Sequence, residues 1–300
     1  MKFWKYTFAL LALIIIVVFL AVFSFDSNLH LIACDVGQGD AVLATLGRTQ
    51  ILIDGGPGKQ VIECLSKYVP FWDREIEMVV LTHPQKDHYG GLIEVFRRYK
   101  VDYFLVNELD SSDQGYQVLE DLVGGSGTRL INPVGGMIIG NSLMYLDILY
   151  PSRRVLTENL EVSESQNSLG KYTSKLDSNE FSIVAILKFG DFSALLTGDM
   201  TPKTSDEIIA EGQIVDVDYL KVPHHGSKNG LTKELLDLSK PEIAVISVGK
   251  GNIYKHPHKE TLDILNKENI QLFRTDLNGD IEIVTNGESW WEKKWGLEAF

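Results

Sequence analysis

Cysteine is scarce in this sequence. Only two cysteines occur among 300 residues, Cys34 and Cys64. A metal site built from clustered thiolates is therefore excluded. Both cysteines lie in apolar patterns, Cys34 on a predicted strand and Cys64 on a predicted helix, so we expect buried free thiols. A single disulfide is the alternative, because an exported domain can oxidise a bridgeable pair.

Basic residues are also few, since 28 lysines and arginines stand against 41 acidic residues and give a net charge of −13. Such a balance argues against a generally basic surface that coats nucleic acid. It does not exclude a metal-dependent nuclease, whose cations meet the scissile phosphate locally. The chain has no repeats or low-complexity tracts, and 44% hydrophobic residues can fill a sizeable core in one large domain or two small ones.

Long hydrophobic runs are absent except for one, FALLALIIIVVFLAVFSF, between Phe8 and Phe25. At about 1.5 Å per helical residue, this run nearly spans a bilayer core of about 30 Å. Two lysines precede it and an aspartate follows, which predicts that the bulk of the chain lies outside the cytoplasm. We therefore expect residues 1–26 to be an uncleaved single-pass anchor in the cell membrane and residues 27–300 to be an extracytoplasmic domain. A cleaved signal peptide, which would leave a secreted protein, is the alternative.

Beyond this run, short apolar segments of strand type alternate with helical segments. The predicted strands include Leu29–Asp35, Ala41–Thr45, Gln50–Asp54, Glu77–Leu81, Val101–Val106, Ser182–Lys188, Phe192–Thr197, Tyr219–Val222, Ile243–Val248, Gln271–Arg274 and Ile281–Val284. Two successive halves of this kind predict two sheets packed face to face with helices outside. The polar segment Arg153–Ser178 predicts a long exposed loop, either a substrate rim or a surface insertion.

The most informative motif is THPQKDHYGG, residues 82–91, at the end of a predicted buried strand. His83, Asp87 and His88 offer the imidazole and carboxylate ligands that hold zinc, manganese or iron for hydrolysis. The two glycines allow a following helix, from about Asp87 to Tyr99, to pack close to the strand. An ordinary strand-to-helix turn is the alternative, but further segments of the chain complete a site.

Those segments also follow predicted strands. Asp199 ends LLTGD, His224 and His225 lie in KVPHHGS, and His256 and His258 lie in YKHPH. Six of the seven histidines thus fall in three strand-end loops. Ligands at strand ends are mechanically favourable because a rigid sheet fixes their positions.

Together these segments resemble the metallo-β-lactamase fold superfamily, and within it the hydrolase domain of the ComEC competence protein family. The motifs that carry the resemblance are DVGQGDA (35–41), IDGG (53–56), THPQKDHYGG (82–91), LLTGDM (195–200), KVPHHGS (221–227), SVG (247–249), HPH (256–258) and RTDLNGD (274–280). The resemblance implies an α/β fold, an αββα four-layer sandwich with a metal centre at one sheet edge. It further implies cleavage of DNA phosphodiesters by a hydrolase domain carried on its own anchor, with DNA-uptake channel proteins as candidate partners.

The resemblance also implies a set of metal ligands. They are His83, Asp87, His88, Asp199, His224 and His225. Asp87 and His88 would hold one ion with His224 or His225, Asp199 would bridge two ions, and His83 would belong to the other. Either zinc or manganese, as one or two ions, suits these ligands.

Two positions depart from the family pattern. Gln85 stands where the superfamily usually has histidine and ComEC relatives have aspartate. The region of the third superfamily histidine contains Asn179 and Ser182 instead. An amide oxygen is a weak ligand compared with a carboxylate, so the departure weakens the metal position at His83 and leaves the one at Asp87 and His88 intact.

A bound divalent ion lowers the pKa of water from 15.7 toward about 7, and its charge stabilises the transition state at phosphorus. We expect Asp87 to be essential as an anionic ligand, and His225 or His256 to protonate the leaving oxygen. His258 is expected to serve packing or helix capping.

Several further residues are expected to support the ligands or line the substrate edge. They are Gln38, Asp40, Asp54, Gln85, Asn179, Ser182, Ser227 and His258. Asp54 is a candidate acceptor that orients a ligand histidine, or else a simple turn carboxylate. Gln38 and Asp40 either line the substrate edge or belong to a tight Gly-Gln-Gly turn.

Three functional hypotheses follow. The first is a membrane-anchored, metal-dependent phosphodiesterase or nuclease linked to DNA uptake. The second is a hydrolase of the same fold that acts on a small-molecule ester or phosphodiester. The third, which Gln85 keeps open, is a degenerate metal-poor module that binds DNA or a protein partner without turnover.

Overall fold

The computed structural model describes residues 2–23, 26–163 and 169–294. Its strands are β1 (Leu29–Ala33), β2 (Val42–Leu46), β3 (Thr49–Ile53), β4 (Glu75–Leu81), β5 (Lys100–Val106), β6 (Arg129–Ile131), β7 (Ile138–Gly140), β8 (Met144–Tyr150), β9 (Glu161–Val162), β10 (Tyr172–Thr173), β11 (Val184–Phe189), β12 (Phe192–Leu196), β13 (Tyr219–Lys221), β14 (Ile243–Ile246), β15 (Gln271–Arg274), β16 (Ile281–Thr285) and β17 (Trp290–Glu292). Its helices are α1 (Lys2–Phe23), α2 (Gln60–Tyr68), α3 (Lys86–Tyr89), α4 (Leu92–Arg98), α5 (Gln114–Ser126), α6 (Arg153–Asn159), α7 (Pro202–Ala210), α8 (Lys233–Ser239), α9 (Lys259–Leu265) and α10 (Thr275–Asn278).

Two large sheets contain most of these strands. The first has the order β17-β16-β1-β2-β3-β4-β5-β6, and the second has the order β15-β14-β13-β12-β11-β8-β7. Strands β3 to β6 run parallel in the first sheet, and β12 to β15 run parallel in the second. The carboxyl ends of parallel strands meet at one edge of a sheet, so the loops after β3, β4, β12, β13 and β14 converge there. We call this edge the carboxyl edge.

Alternating side chains give the sandwich its four layers. On β1, Leu31 faces the space between the sheets, where it joins residues such as Leu146 and Val245 of the second sheet. Its neighbour Ile32 faces outward, into a separate core formed with α2, α4 and α5. A third core lies between the second sheet and α7, α8 and α9, and includes Leu235. The predicted αββα sandwich is therefore confirmed.

The helix predicted from Asp87 to Tyr99 is divided into α3 and α4. The N–H of Gly91 donates to the carbonyl of Gly56 at 2.8 Å instead of continuing the helical ladder. A Cβ at Gly91 would lie 2.0 Å from the carbonyl oxygen of Gly55, so no larger residue could pack there. Close contact between the metal motif and the loop after β3 thus interrupts the helix.

The segment Arg153–Ser178, predicted as a long exposed loop, contains regular structure. Helix α6 begins where the Ser152 hydroxyl accepts from the N–H of Val155 at 3.3 Å, and Val155 is buried. Strands β9 and β10 pair further along, and residues 164–168 lie outside the described residues. The polar composition does not reveal α6, because this short capped helix buries a single side chain, that of Val155.

The run predicted to anchor the chain forms α1, whose described apolar side chains, such as Phe8 and Leu10, are exposed. Across the described parts of the chain, no helix is both long enough and apolar enough to cross a membrane. The predicted membrane-spanning helix is therefore unsupported here and stays a prediction.

The two cysteines are joined in a disulfide, so the expectation of free thiols is wrong. Cys34 follows β1 and Cys64 lies on α2, and both belong to the core between the first sheet and its helices. Burial was predicted from the apolar pattern, but the partner was not. The contact between α2 and β1 depends on the position of β1 inside the sheet. Local sequence patterns do not encode that position.

We predict that replacing both cysteines, Cys34→Ser with Cys64→Ser, lowers the free energy of unfolding. The bond closes a loop with a sequence separation of 30 residues. In the chain-entropy model, a loop of this size contributes about 3 to 4 kcal/mol. Urea unfolding of both proteins measures the difference, and wild-type protein under reducing conditions should match the double variant. Coincident unfolding curves for oxidised and reduced wild type would contradict the prediction.

Candidate metal centre

Buried acids and imidazoles from separate loops meet at the carboxyl edge. His83 directly follows β4, and His88 lies on α3; both are fully buried, with ring centroids 4.1 Å apart. The loop after β1 closes onto this motif, because the N–H of Asp40 donates to the carbonyl of Asp87 at 3.1 Å. A Cβ at Gly39 would lie 2.2 Å from that carbonyl oxygen, so only glycine permits this approach.

Asp54 holds His88 in place. Its carboxylate lies 2.8 Å from Nδ1 of His88 and accepts from both the N–H and the hydroxyl of Thr82 at 2.8 Å. Asp54 has a φ of +59°, a conformation that costs on the order of 1 kcal/mol or more for a residue other than glycine. The contact is the one expected of an acceptor that orients a ligand histidine and leaves its Nε2 free.

Asp199, just after β12, lies at the centre of the cluster. Its carboxylate oxygens are 3.5 Å from Nε2 of His88 and 3.3 Å from Nε2 of His225. The N–H of Asp199 donates to the hydroxyl of Ser182 at 3.0 Å. Ser182 therefore positions the backbone of Asp199 and does not contribute to the converging ligand atoms.

His225 rather than His224 completes the group formed by Asp87 and His88. Its Nε2 lies 3.4 Å from a carboxylate oxygen of Asp87, and its Nδ1 lies 3.0 Å from the carbonyl of Ser247. Both histidines have positive φ, 51° for His224 and 52° for His225. This paired left-handed turn sends His225 into the cluster and leaves His224 a quarter exposed, with its Nε2 3.7 Å from Asp199.

Lys221 is a component that sequence reasoning missed. It is buried at the end of β13, forms an ion pair with Asp40, and donates to the carbonyl of Gly198 at 2.8 Å. Asp40 in turn lies 3.2 Å from Nδ1 of His225. A lysine inside an otherwise apolar strand was the available signal, because lysine is almost never fully buried without a partner.

The charges of these groups depend on one another. Burial alone would lower the pKa of His88 and His225, but Asp199 and the other carboxylates raise both well above the usual range. Burial would raise the pKa of Asp199, but His225 and His88 hold it well below its usual range. Burial lowers the pKa of His83 to about 3, so that imidazole is neutral. The carboxylate of Asp199 is therefore ionised, whereas burial raises the pKa of Asp54. His83 has the protonation state of a metal ligand.

The residues of the cluster fit a divalent cation. Within the described residues, Nε2 of His83, His88 and His225 are buried without a hydrogen-bond partner, as is Oδ1 of Asp199. Buried polar atoms are normally satisfied, so several converging exceptions call for an ion. His83, His88 and Asp199 each offer a ligand atom within 4.8 Å of the other two, and so do Asp87, His88 and His225. Imidazole with carboxylate is a donor set that zinc and manganese accept.

Gln85 and Asn179 are bonded to each other beside this cluster. Nε2 of Gln85 donates to Oδ1 of Asn179 at 2.6 Å and to the hydroxyl of Ser178 at 3.1 Å. The amide of Gln85 thus holds the turn at Ser178–Phe181 against the metal motif. His83 shares its group of converging ligand atoms with His88 and Asp199.

Four other predicted residues lie around the cluster. His256 is half-exposed, with its ring centroid 6.4 Å from that of His225, and burial together with His225 lowers its pKa to about 4. Nδ1 of His258 accepts from the N–H of Lys228 at 3.1 Å. Gln38 accepts from the N–H of Gly249 at 3.2 Å, and the Ser227 hydroxyl accepts from the N–H of Asn229 at 3.2 Å. His258 and Gln38 therefore join separate loops, Ser227 stabilises a turn within its own loop, and His256 lies beside the ligands.

A four-layer αββα sandwich with imidazoles and carboxylates at its carboxyl edge defines a class of metal-binding proteins. The chain belongs to the metallo-beta-lactamase superfamily, whose family model matches residues 34–250. This family implies a divalent metal, for which the cluster described above supplies candidate ligands.

Curated relatives include competence proteins. The chain is 26% identical to ComE operon protein 3 of Bacillus subtilis over 266 residues, which cover 83% of this chain and 32% of that protein. It is 27% identical to Recombination protein 2 of Haemophilus influenzae over 255 residues, which cover 83% of this chain and 28% of the relative. The chain therefore spans about a third of the length of the relatives it matches. The metallo-beta-lactamase fold protein YhfI from Bacillus subtilis shares the fold, with a TM-score of 0.53 at 12% identity, covering 89% of this chain and 100% of that one.

We predict that Lys221→Met destabilises the protein strongly, because it leaves the buried carboxylate of Asp40 without its cation. Removal of one partner of a buried ion pair costs about 3 to 5 kcal/mol. Adding Asp40→Asn to the same chain should recover part of that loss. Urea unfolding of the two single variants and the double variant measures the coupling, and additive losses would show that the pair does not stabilise the site.

Proposed function

We propose that this chain is a membrane-anchored, metal-dependent phosphodiesterase that cleaves DNA during uptake or processing. The observation that carries the proposal is the convergence of Asp87, His88 and His225 with Asp199 at one sheet edge, with buried ligand atoms left unsatisfied. Buried polar atoms are normally satisfied, and one shared cation would satisfy these ligand atoms from three distant parts of the chain.

A divalent ion held by Asp87, His88, His225 and Asp199 would supply a water of lowered pKa and a positive charge at the reacting phosphate. The chain's own residues prepare that position. Asp54 fixes the ring of His88, and Asp40 with the carbonyl of Ser247 fixes the ring of His225. These contacts hold both Nε2 atoms toward Asp199 before a substrate arrives, so little reorganisation is needed.

His256 is the candidate for proton exchange with the substrate. It lies outside the ligand groups and is half-exposed, so it can reach both the cluster and solvent. His225 is less suited to this role, because its two nitrogens face Asp199 on one side and Ser247 on the other. Of the two residues considered for proton transfer, His256 is therefore the one we propose.

The loops around the centre support a polyanionic substrate despite the acidic net charge. Exposed lysines occur on the loops after β3, β4, β13 and β14. They are Lys59, Lys86, Lys228, Lys250 and Lys255. In those four loops, residues 54–60, 82–91, 222–232 and 247–258, Asp54 and Asp87 are the only acidic residues, while the loops after β1 and β12 add the buried Asp40 and Asp199. The exposed charges of the four loops are therefore mostly positive, and they would meet phosphates.

An aromatic side chain beside the centre supports single-stranded DNA. Tyr254 is 57% exposed, and its ring stacks on His256 with centroids 5.7 Å apart. Exposed aromatic rings in a positively charged groove stack on unpaired bases without strong sequence preference. The names of the relatives, which include Competence protein ComA of Neisseria gonorrhoeae, agree with a role in DNA uptake and with DNA-uptake channel proteins as partners.

Anchoring and an extracytoplasmic location are part of the proposal. The Cys34–Cys64 disulfide favours an oxidising compartment, because cytosolic thiols are kept reduced. The apolar run from Phe8 to Phe25 extends beyond the side chains that the structure describes, and its flanking charges favour an inside N-terminus.

We predict that Asp87→Ala and Asp199→Ala each abolish metal-dependent cleavage of single-stranded DNA. Each substitution removes an anionic ligand, so bound zinc or manganese should fall as well. The purified full chain is assayed for metal content and for cleavage with each metal added. Asp206→Ala on α7 is the matched control, because Asp206 is exposed and outside the cluster.

If both variants retain wild-type metal content and rate, the site is misassigned. Wild-type protein without metal or turnover would instead support a binding module. Cleavage of a bis-aryl phosphodiester or of nitrocefin, but not of DNA, would remove the nuclease assignment and keep the hydrolase.

We predict that Lys228→Ala with Lys255→Ala weakens binding of single-stranded DNA and lowers its dependence on salt. For single strands, each lost phosphate contact should reduce the slope of log affinity against log salt by about 0.7. Fluorescence anisotropy over a salt series measures this. Lys267→Ala, an exposed lysine before β15 at the opposite edge, is the control and should leave the slope unchanged. Equal slopes for all three proteins would place the DNA elsewhere.

A further inference from the structure

The edge of the sandwich opposite the metal centre carries exposed apolar side chains that the proposed function does not use. We call this group the apolar end. Its members are Phe71, Trp72, Leu143 and Trp291. Phe71 is 77% exposed, Leu143 64% and Trp72 49%, although large apolar residues are usually buried. Several such residues at one end of a protein mark a contact surface.

Strand register places these residues at that end. Phe71 and Trp72 precede β4, which runs from Glu75 toward the metal motif. Leu143 is in the turn between β7 and β8, and β8 also runs toward the carboxyl edge, antiparallel to β11. Trp291 on β17 pairs with Val284 near the end of β16. All three positions are therefore at the far ends of strands from the ligands.

Helix α1 joins the domain at this end as well. Leu29, the first residue of β1, pairs with Leu46 at the end of β2 and with Thr285 at the end of β16. Since α1 ends at Phe23, the six intervening steps reach at most about 20 Å. Any bilayer that α1 enters is thus held near the apolar end. The seven-residue strands β4 and β5 keep the carboxyl edge about 23 Å further away.

We propose that the apolar end rests on the lipid surface of the membrane, so that the metal centre opens away from the bilayer. This proposal rests on the membrane anchoring included in the proposed function. A lipid surface fits better than a folded partner because α1 joins the domain at this end and because the apolar residues belong to both sheets, beside β4 and on β17 in the first and before β8 in the second. Tryptophan and phenylalanine favour the zone between headgroups and acyl chains.

Spin labels on the full chain test the proposal in vesicles of phosphatidylcholine and phosphatidylglycerol. Nitroxide labels are placed with Phe71→Cys or Leu143→Cys, and both native cysteines are already bonded to each other. The control is Ile253→Cys, 86% exposed in the loop after β14 at the carboxyl edge. We expect the ratio of oxygen to nickel-chelate accessibility to be several-fold higher at residues 71 and 143 than at residue 253.

Flotation of the same vesicles separates this proposal from the anchoring. Chain that floats and gives equal ratios at all three labels would overturn the lipid contact and keep the anchor. Chain that does not float would overturn both. Dipolar broadening between labels at residue 71 on different molecules would assign the apolar end to a second copy and also overturn the proposal. DNA cleavage, measured in parallel, reports on the proposed catalytic activity independently.

Discussion

The structure depends on how four carboxylates, three of them buried, are accommodated in one small region. Asp40, Asp54 and Asp199 are buried at the carboxyl edge, and Asp87, 28% exposed, lies beside them. Isolated carboxylates would be expensive to bury, so each needs a cation or donors within reach. Lys221 serves Asp40, and His88 serves Asp54 and Asp199. A divalent ion would complete this balance, which explains why unsatisfied imidazole nitrogens are aimed at the same point.

The sandwich makes that balance possible because both sheets contribute from the same edge. His83 and His88 come from the first sheet, and Asp199 and His225 come from the second. The groups that contain His83 and Asp87 each combine ligands from both sheets. The parallel strands fix the positions of the loops, and unusual backbone at Asp54, His224 and His225 sets the directions of the side chains. Strain of this kind persists only where the surrounding structure holds it.

The two ends of the sandwich have different chemistry. The carboxyl edge combines buried acids with exposed lysines and Tyr254, whereas the opposite end presents apolar side chains and receives the chain from α1. This division separates the end of the domain that α1 joins from the end that carries the candidate metal centre. The Gln85–Asn179 bond adds a difference within the carboxyl edge, since it occupies an amide pair beside His83 while Asp87 and His88 remain available.

The sequence by itself determined the four-layer fold, most strand positions and the loops that carry the ligands, because these follow from local periodicity and from motifs that keep their spacing. β15 was predicted to the residue, and His83, Asp87, His88 and Asp199 were all proposed as ligands. Tertiary structure alone decided the disulfide of Cys34, the choice of His225 over His224, and the pairing of Lys221 with Asp40. Each of these depends on which strands become neighbours or on the sign of a backbone dihedral. Neither quantity is set by residues close in sequence, so both emerge only when the two sheets pack together.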